Sequence, residues 1–201
     1  MRITTGKYRN RKLHMPKGIR PTQDKVRKAV FDILGDISGL SFLELFAGSG
    51  AVGFEALSRG VAELTLVECN ANSVLAIKRN IALLNVSDCK LYYLEAEKAV
   101  KLMSLDKKSF DVIFIDPPYY KVSASRHYPE TAVSIVEPLA KKILQTLEAY
   151  DILSPNGLIV VQHSKLEALP KDGLKFSLIK EAKYGDTWLS IFSQAQGHKK
   201  E

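Results

Sequence analysis

Between residues 41 and 59 the chain runs from an apolar strand, Ser-Phe-Leu-Glu-Leu-Phe, through Ala47-Gly48-Ser49-Gly50-Ala51-Val52-Gly53, into a helical stretch that Gly60 can close. Gly48, Gly50 and Gly53 fit G-x-G-x-x-G. That pattern lets the backbone turn tightly after a buried strand, approach a ligand, and open a helix with unpaired N–H groups. Few folds admit this order. The remaining periodicity repeats it, with strands over 63–67, 90–94 and 110–115 alternating with helices over 70–84, 97–105 and 133–150. A fifth strand over 157–161 and a closing pair over 176–184 and 188–192 follow. Such alternation predicts an α/β fold, with a Rossmann-like, mostly parallel sheet wound on both faces and an antiparallel edge.

The strand over 110–115, Phe-Asp-Val-Ile-Phe-Ile, reads as buried on both faces and leads straight into Asp116-Pro117-Pro118-Tyr119. Open α/β sheets hold their ligands at the carboxyl ends of strands. Two prolines fix φ and lack N–H donors, so their carbonyls are available as acceptors; Asp116 adds a carboxylate and Tyr119 an aromatic face. Acceptors beside a stacking plane suit a planar amino group. Asp116, Pro117 and Tyr119 are therefore the candidate catalytic residues. Lys121, Arg126, His127 and Tyr128 follow in a basic and aromatic loop that is either a cover over a bound substrate or an ordinary crossover.

Glu44 selects among ligands. It lies two residues before Phe46, where dinucleotide binders usually carry apolar residues, and an acid there suits a cation better than a pyrophosphate. S-adenosylmethionine has a sulfonium and an amino group and no phosphate, so it is the expected cofactor. Glu68, ending the strand over 63–67, is placed for the two hydroxyls of a ribose.

Charge is distributed unevenly. Residues 1–28 hold ten Lys or Arg against one acid, a charge of +9, while the other 173 residues hold 19 bases and 21 acids, or −2. A near-neutral body with a basic arm points to a polyanion. The alternative is a solvated tail, but Ile3, Tyr8, Leu13 and Met15 interrupt the basic run. Val26, Ala29, Val30, Ile33 and Leu34 then recur at helical spacing after Thr22, a candidate N-cap, leaving Arg20, Lys25, Arg27 and Lys28 to meet phosphates. Cys69, Cys89 and four scattered histidines show no metal-ligand spacing, so free thiols and no metal are expected. No apolar run approaches the ~20 residues of a membrane span, and the start lacks a signal-peptide core, so a cytoplasmic location is expected. The expected organisation is a basic arm and helix over 1–35, a catalytic body over 36–194, and a polar tail over 195–201.

With these residues in view the chain resembles the bacterial RsmD family, which methylates the 2-amino group of a guanine in 16S ribosomal RNA. The resemblance is carried by Gly6 to Leu13, Arg20-Pro21-Thr22 through Phe31, Phe46-Ala47-Gly48-Ser49-Gly50, Glu55 to Gly60, Asp116-Pro117-Pro118-Tyr119 and Tyr184-Gly185-Asp186-Thr187. The family usually shows Arg-Gly-Arg where this chain has Arg9-Asn10-Arg11, and a Glu near the end of the strand that here reads Val161-Gln162-His163. The resemblance implies a class I S-adenosylmethionine-dependent methyltransferase with a seven-stranded sheet and a basic N-terminal extension. Glu44, Ala47, Gly48, Ser49 and Gly50 would surround the methionine part of the cofactor, Glu68 the ribose, and Glu95 with Ala96 the adenine. Arg2, Arg9, Arg11, Lys12, Arg20, Thr22 and Arg27 would face RNA, in an assembled or assembling 30S particle met by a monomer. Other readings are a DNA adenine amino-methyltransferase, for which the chain has no room for a target-recognition domain, and a non-catalytic RNA-binding or ribosome-assembly protein on the same fold.

Overall fold

The computed structural model describes residues 1–16, 24–118, 139–170 and 174–195. Strands β1 (Ser41–Leu45), β2 (Glu63–Glu68), β3 (Cys89–Tyr93), β4 (Phe110–Ile115), β5 (Leu153–Ser164), β6 (Phe176–Tyr184) and β7 (Thr187–Gln194) form one seven-stranded sheet. Its order is β3-β2-β1-β4-β5-β7-β6. The first five strands pair in parallel, and β7 enters antiparallel between β5 and β6. The chain leaves β1 toward β2 and β3, then returns to the other side at β4. The crevice between β1 and β4 is therefore the switch point at which such sheets bind ligands.

Helices α1 (Asp24–Leu34), α2 (Ala51–Ser58), α3 (Ala71–Leu84), α4 (Ala96–Leu105) and α5 (Leu139–Tyr150) cover both faces. Because side chains alternate along a strand, each face draws on every second residue. Phe42, Leu64, Leu66, Phe114 and Val160 pack with apolar residues of α1, α2 and α3. Leu43, Leu45, Val67, Ile113, Ile115 and Val161 pack with α4 and α5. On the first face the next positions in this period of two are Glu44, Glu68, Asp116 and Gln162. Four adjacent strands thus bring four polar side chains to one edge of the sheet.

The basic arm shares that first core. Arg2 and Lys12 form an antiparallel bridge, and Ile3 and Leu13 are buried with Val26, Val30 and Phe31 of α1 against the sheet. Backbone bonds from Lys7 N to Ser58 O at 2.8 Å, and from Thr4 N and Thr5 N to the Glu55 carboxyl, fix the arm to α2. A Cβ at Gly6 would lie 1.7 Å from Ser58 O, so the approach requires glycine. Asn10 has φ +67°, the left-handed conformation that Asn tolerates better than most residues, so it can stand where the resembled family has Gly. A solvated tail is thereby excluded for residues 1–16.

Most element bounds differ from the sequence expectation by one or two residues, and β5 by more. β5 begins at Leu153, not residue 157, because Phe110 pairs with Leu153 and the ladder resumes at Val112 and Leu158 after a register shift. Of the helix expected over 133–150, residues 133–138 lie outside the described residues, as does the proposed cap Thr22.

Candidate active site

β1 delivers Glu44 beneath the start of α2, where its side chain is 3% exposed. Its Oε2 accepts the Gly53 N–H at 2.8 Å, and the carboxyl also bonds the backbone of Val52. The first turn of a helix presents unpaired N–H groups and a positive end, the usual cradle for a phosphate. Here an internal acid occupies that cradle, which corrects the expectation of helix N–H groups open to a ligand. Gly53 permits the contact: a Cβ there would lie 2.7 Å from Glu44 Oε2 and as close to Leu64 and Leu66. Burial, with smaller contributions from the charges of Asp116 and Glu68, pushes the Glu44 carboxyl up to about 8 against the pull of its two backbone bonds. The raised value favours the neutral carboxyl, and a cation beside it would favour the ionised form.

The turn above Glu44 is built from three residues at positive φ: Phe46 at +60°, Gly48 at +57° and Gly50 at +72°. A bulky residue in this region is an outlier of the kind that clusters at ligand sites. Ala47 N bonds Val67 O at 3.0 Å and Gly48 N bonds Glu68 Oε2 at 2.7 Å, tying the turn to β2. Glu68 Oε1 also accepts Cys69 N and Asn70 N, at 2.8 and 2.7 Å. A carboxylate has about four lone-pair sites, so three are filled and about one is left for a further donor. An added Cβ at Gly48 would meet nothing within 4 Å, so open space lies over the turn. Ser49 is buried, and its carbonyl accepts from Asn80 Nδ2 at 3.0 Å. Asn80 also clamps both backbone groups of His14, and so joins the arm to the turn.

Across the switch point Asp116 follows β4, and Gln162 Nε2 donates to its Oδ1 at 2.9 Å. Pro117 is buried and Pro118 exposed. Gln162 had no role in the sequence reading; counting by twos along β5 from Val160 is the signal that finds it. Glu95 caps α4 with extended backbone, and its exposed carboxylate pairs with Lys98 at 3.0 Å; Ala96, the first residue of α4, is buried. Both stand at the same sheet edge, beside Glu68, whose strand partner is Tyr93. Tyr119, Lys121, Arg126, His127 and Tyr128 lie outside the described residues.

Of the expected RNA-facing residues, Arg2, Arg9, Arg11 and Lys12 are exposed on the arm, together with Lys25 and Lys28 on α1. Arg20 and Thr22 lie outside the described residues. Arg27 is a correction. It is 1% exposed, donates to Arg2 O at 2.8 Å, and sits 3.8 Å from Glu55 and 3.0 Å from Asp24. Glu55, also 1% exposed, accepts a hydrogen bond from Arg59 at 3.2 Å, and Arg27 adds a second cation at 3.8 Å. It holds the arm to the body and is not open to a phosphate. Among the described residues no group of three His, Cys, Asp or Glu could hold a metal, and no helix is long and apolar enough to cross a membrane.

Comparison with known proteins places this geometry. The family model described as conserved hypothetical protein 95 matches residues 1–193. Ribosomal RNA small subunit methyltransferase D of Escherichia coli strain K12 is 29% identical, covering 98% of this chain and 92% of its own. Its Haemophilus influenzae namesake is 32% identical over 82% of this chain and 79% of its own. The solved structure of a hypothetical protein from Thermus thermophilus is 30% identical with a TM-score of 0.77, covering 97% of this chain and 99% of the other. The fold is that of the S-adenosylmethionine-dependent methyltransferases.

Proposed function

The chain belongs to the conserved hypothetical protein 95 family, and on that premise we propose that it methylates the 2-amino group of a guanine in small-subunit ribosomal RNA, using S-adenosylmethionine. The observation that carries this reading is Glu44 seated on the N–H groups of α2 with Asp116 and Glu68 near it. With Glu44 on the N–H groups of Val52 and Gly53 the helix end is no longer a cradle for a pyrophosphate, and a cation would favour the ionised form of the carboxyl beneath it. The residues present therefore fit S-adenosylmethionine, which supplies an electrophilic methyl group on a sulfonium.

Glu44 and the Ala47 to Gly50 turn hold the cationic amino-acid end, Glu68 takes a ribose hydroxyl, and Glu95 with Ala96 meets the adenine. The acceptor amine is a poor nucleophile because its lone pair is delocalised into the ring. Asp116 and the Pro117 carbonyl would accept its two hydrogens, which draws the nitrogen toward tetrahedral geometry and frees its lone pair to take the methyl as the sulfonium C–S bond breaks; the amino proton shed would pass to the Asp116 carboxylate and on to water. Tyr119 stacks on the base, which must be unpaired to enter. Residues 1–35 form the RNA-facing extension. Arg2, Arg9, Arg11 and Lys12 engage phosphates of an assembled or assembling particle, met by a single copy of the chain.

Calorimetry tests this assignment. S-adenosylmethionine and its demethylated product bind, and NAD does not. Asp116→Ala keeps that affinity and loses turnover by about two orders of magnitude or more. Comparable NAD affinity, or a fully active alanine variant, would remove the reading.

A further inference from the structure

Gln162 carries a buried acceptor that no group among the described residues meets. Its side chain is 6% exposed, Nε2 donates to Asp116 Oδ1 at 2.9 Å, and Oε1 is buried with no hydrogen-bond partner among the described residues. The bond to a carboxylate fixes which way the amide points, since only the NH2 end can donate. Buried polar atoms are nearly always paired, and leaving one unpaired costs stability. This atom stands at the carboxyl end of β5. Ile115 pairs with Val161, so Asp116 and Gln162 follow side by side at the edge of the sheet.

We infer that Gln162 is a specificity-determining residue whose Oε1 accepts the N1–H of the target guanine, beside the 2-amino group received by Asp116. The inference rests on the methyl-transfer reading above. Guanine presents N1–H and its 2-amino group as neighbouring donors on one edge. Adenine presents an unprotonated N1 next to its amino group, and that lone pair would face Oε1 and be repelled. One amide thus aims Asp116 with its nitrogen and reads the ring with its oxygen. The Asp-Pro-Pro-Tyr turn alone accepts either amine, so the discrimination comes from the neighbouring strand. A site built to pair a substrate N–H rejects an analogue lacking it far more strongly than a shape-matched pocket does.

The test uses small subunits reconstituted with either guanosine or 2-aminopurine riboside at the nucleotide that the wild-type protein methylates. 2-Aminopurine keeps the 2-amino group but has an unprotonated N1. The wild type is expected to use guanosine at least ~100-fold faster. Gln162→Met keeps the side-chain length and removes both polar ends; it is expected to slow guanosine at least ~10-fold more than 2-aminopurine, with calorimetric affinity for S-adenosylmethionine unchanged. Equal slowing on both substrates would mean that Gln162 only aims Asp116 and would overturn the inference. Loss of cofactor affinity in the Met variant would assign Oε1 to the cofactor and overturn it too. If the wild type forms no 2-methylguanosine on guanosine particles, the methyl-transfer reading fails first, before any variant is compared.

Discussion

Glu44→Gln isolates the acid under the helix. The folded carboxyl titrates at about 8 against a reference of 4.5, with burial as the main cause. A raised folded value means the folded state binds more protons, so stability is greatest at low pH and falls as pH rises from the reference toward the folded value. At about 1.36 kcal/mol for each pH unit between those two values, the full cost reaches about 5 kcal/mol once pH passes 8. Glutamine fills the same space, can still accept the Gly53 N–H, and does not titrate. Urea unfolding of both proteins across pH 5 to 8 is therefore expected to show the wild type losing about 3–4 kcal/mol relative to the variant. The same proton leaves when a cation binds. Wild-type affinity for S-adenosylmethionine is expected to rise by up to about tenfold per pH unit below 8, with proton release visible in buffers of different ionisation enthalpy. The variant shows neither. Parallel stability curves, with no proton release, would refute the reasoning.

Gly53→Ala places a methyl 2.7 Å from Glu44 Oε2, Leu64 and Leu66, and is expected to lower the unfolding free energy by about 1–3 kcal/mol in urea titrations. Arg27→Ala removes one of the two cations facing the buried Glu55 and the hydrogen bond to Arg2 O, leaving Arg59 at 3.2 Å, and is expected to cost about 1–3 kcal/mol of stability. Charge reversal at the exposed Arg9 and Arg11 is expected to leave unfolding unchanged and to flatten the salt dependence of RNA binding, by ~0.7 in log–log slope for each phosphate no longer engaged. An arm that binds RNA with unchanged slope, or an Arg27 variant of unchanged stability, would contradict the division between the two kinds of arginine.

Much of this was legible in the sequence because parallel strands and helices leave strong periodic signals. Every sheet strand but β5 falls within three residues of its expected bounds, and β6 matches fully. The start of β5 is hidden because Ser154-Pro155-Asn156-Gly157 has turn composition, while Leu153 before it pairs with Phe110 of β4 and the ladder resumes at Leu158. Glu44 stood out as an acid inside an apolar strand, but its seat on Gly53 N depends on how closely α2 approaches the sheet. Arg27 misled for a related reason. It lies beside the apolar stripe of α1, and only the fold brings Glu55, distant in sequence, against it. Gln162 carried no local signal, because its meaning comes from the strand beside it.

The most direct measurement of the central claim is the product. Purified protein, S-adenosylmethionine labelled in its methyl group, and small subunits from cells lacking the protein are combined, and the RNA is digested to nucleosides. The account predicts that label elutes as 2-methylguanosine from small-subunit rRNA, and that Asp116→Ala leaves the RNA unlabelled. Label in methyladenosine, or only in DNA or protein, would contradict it.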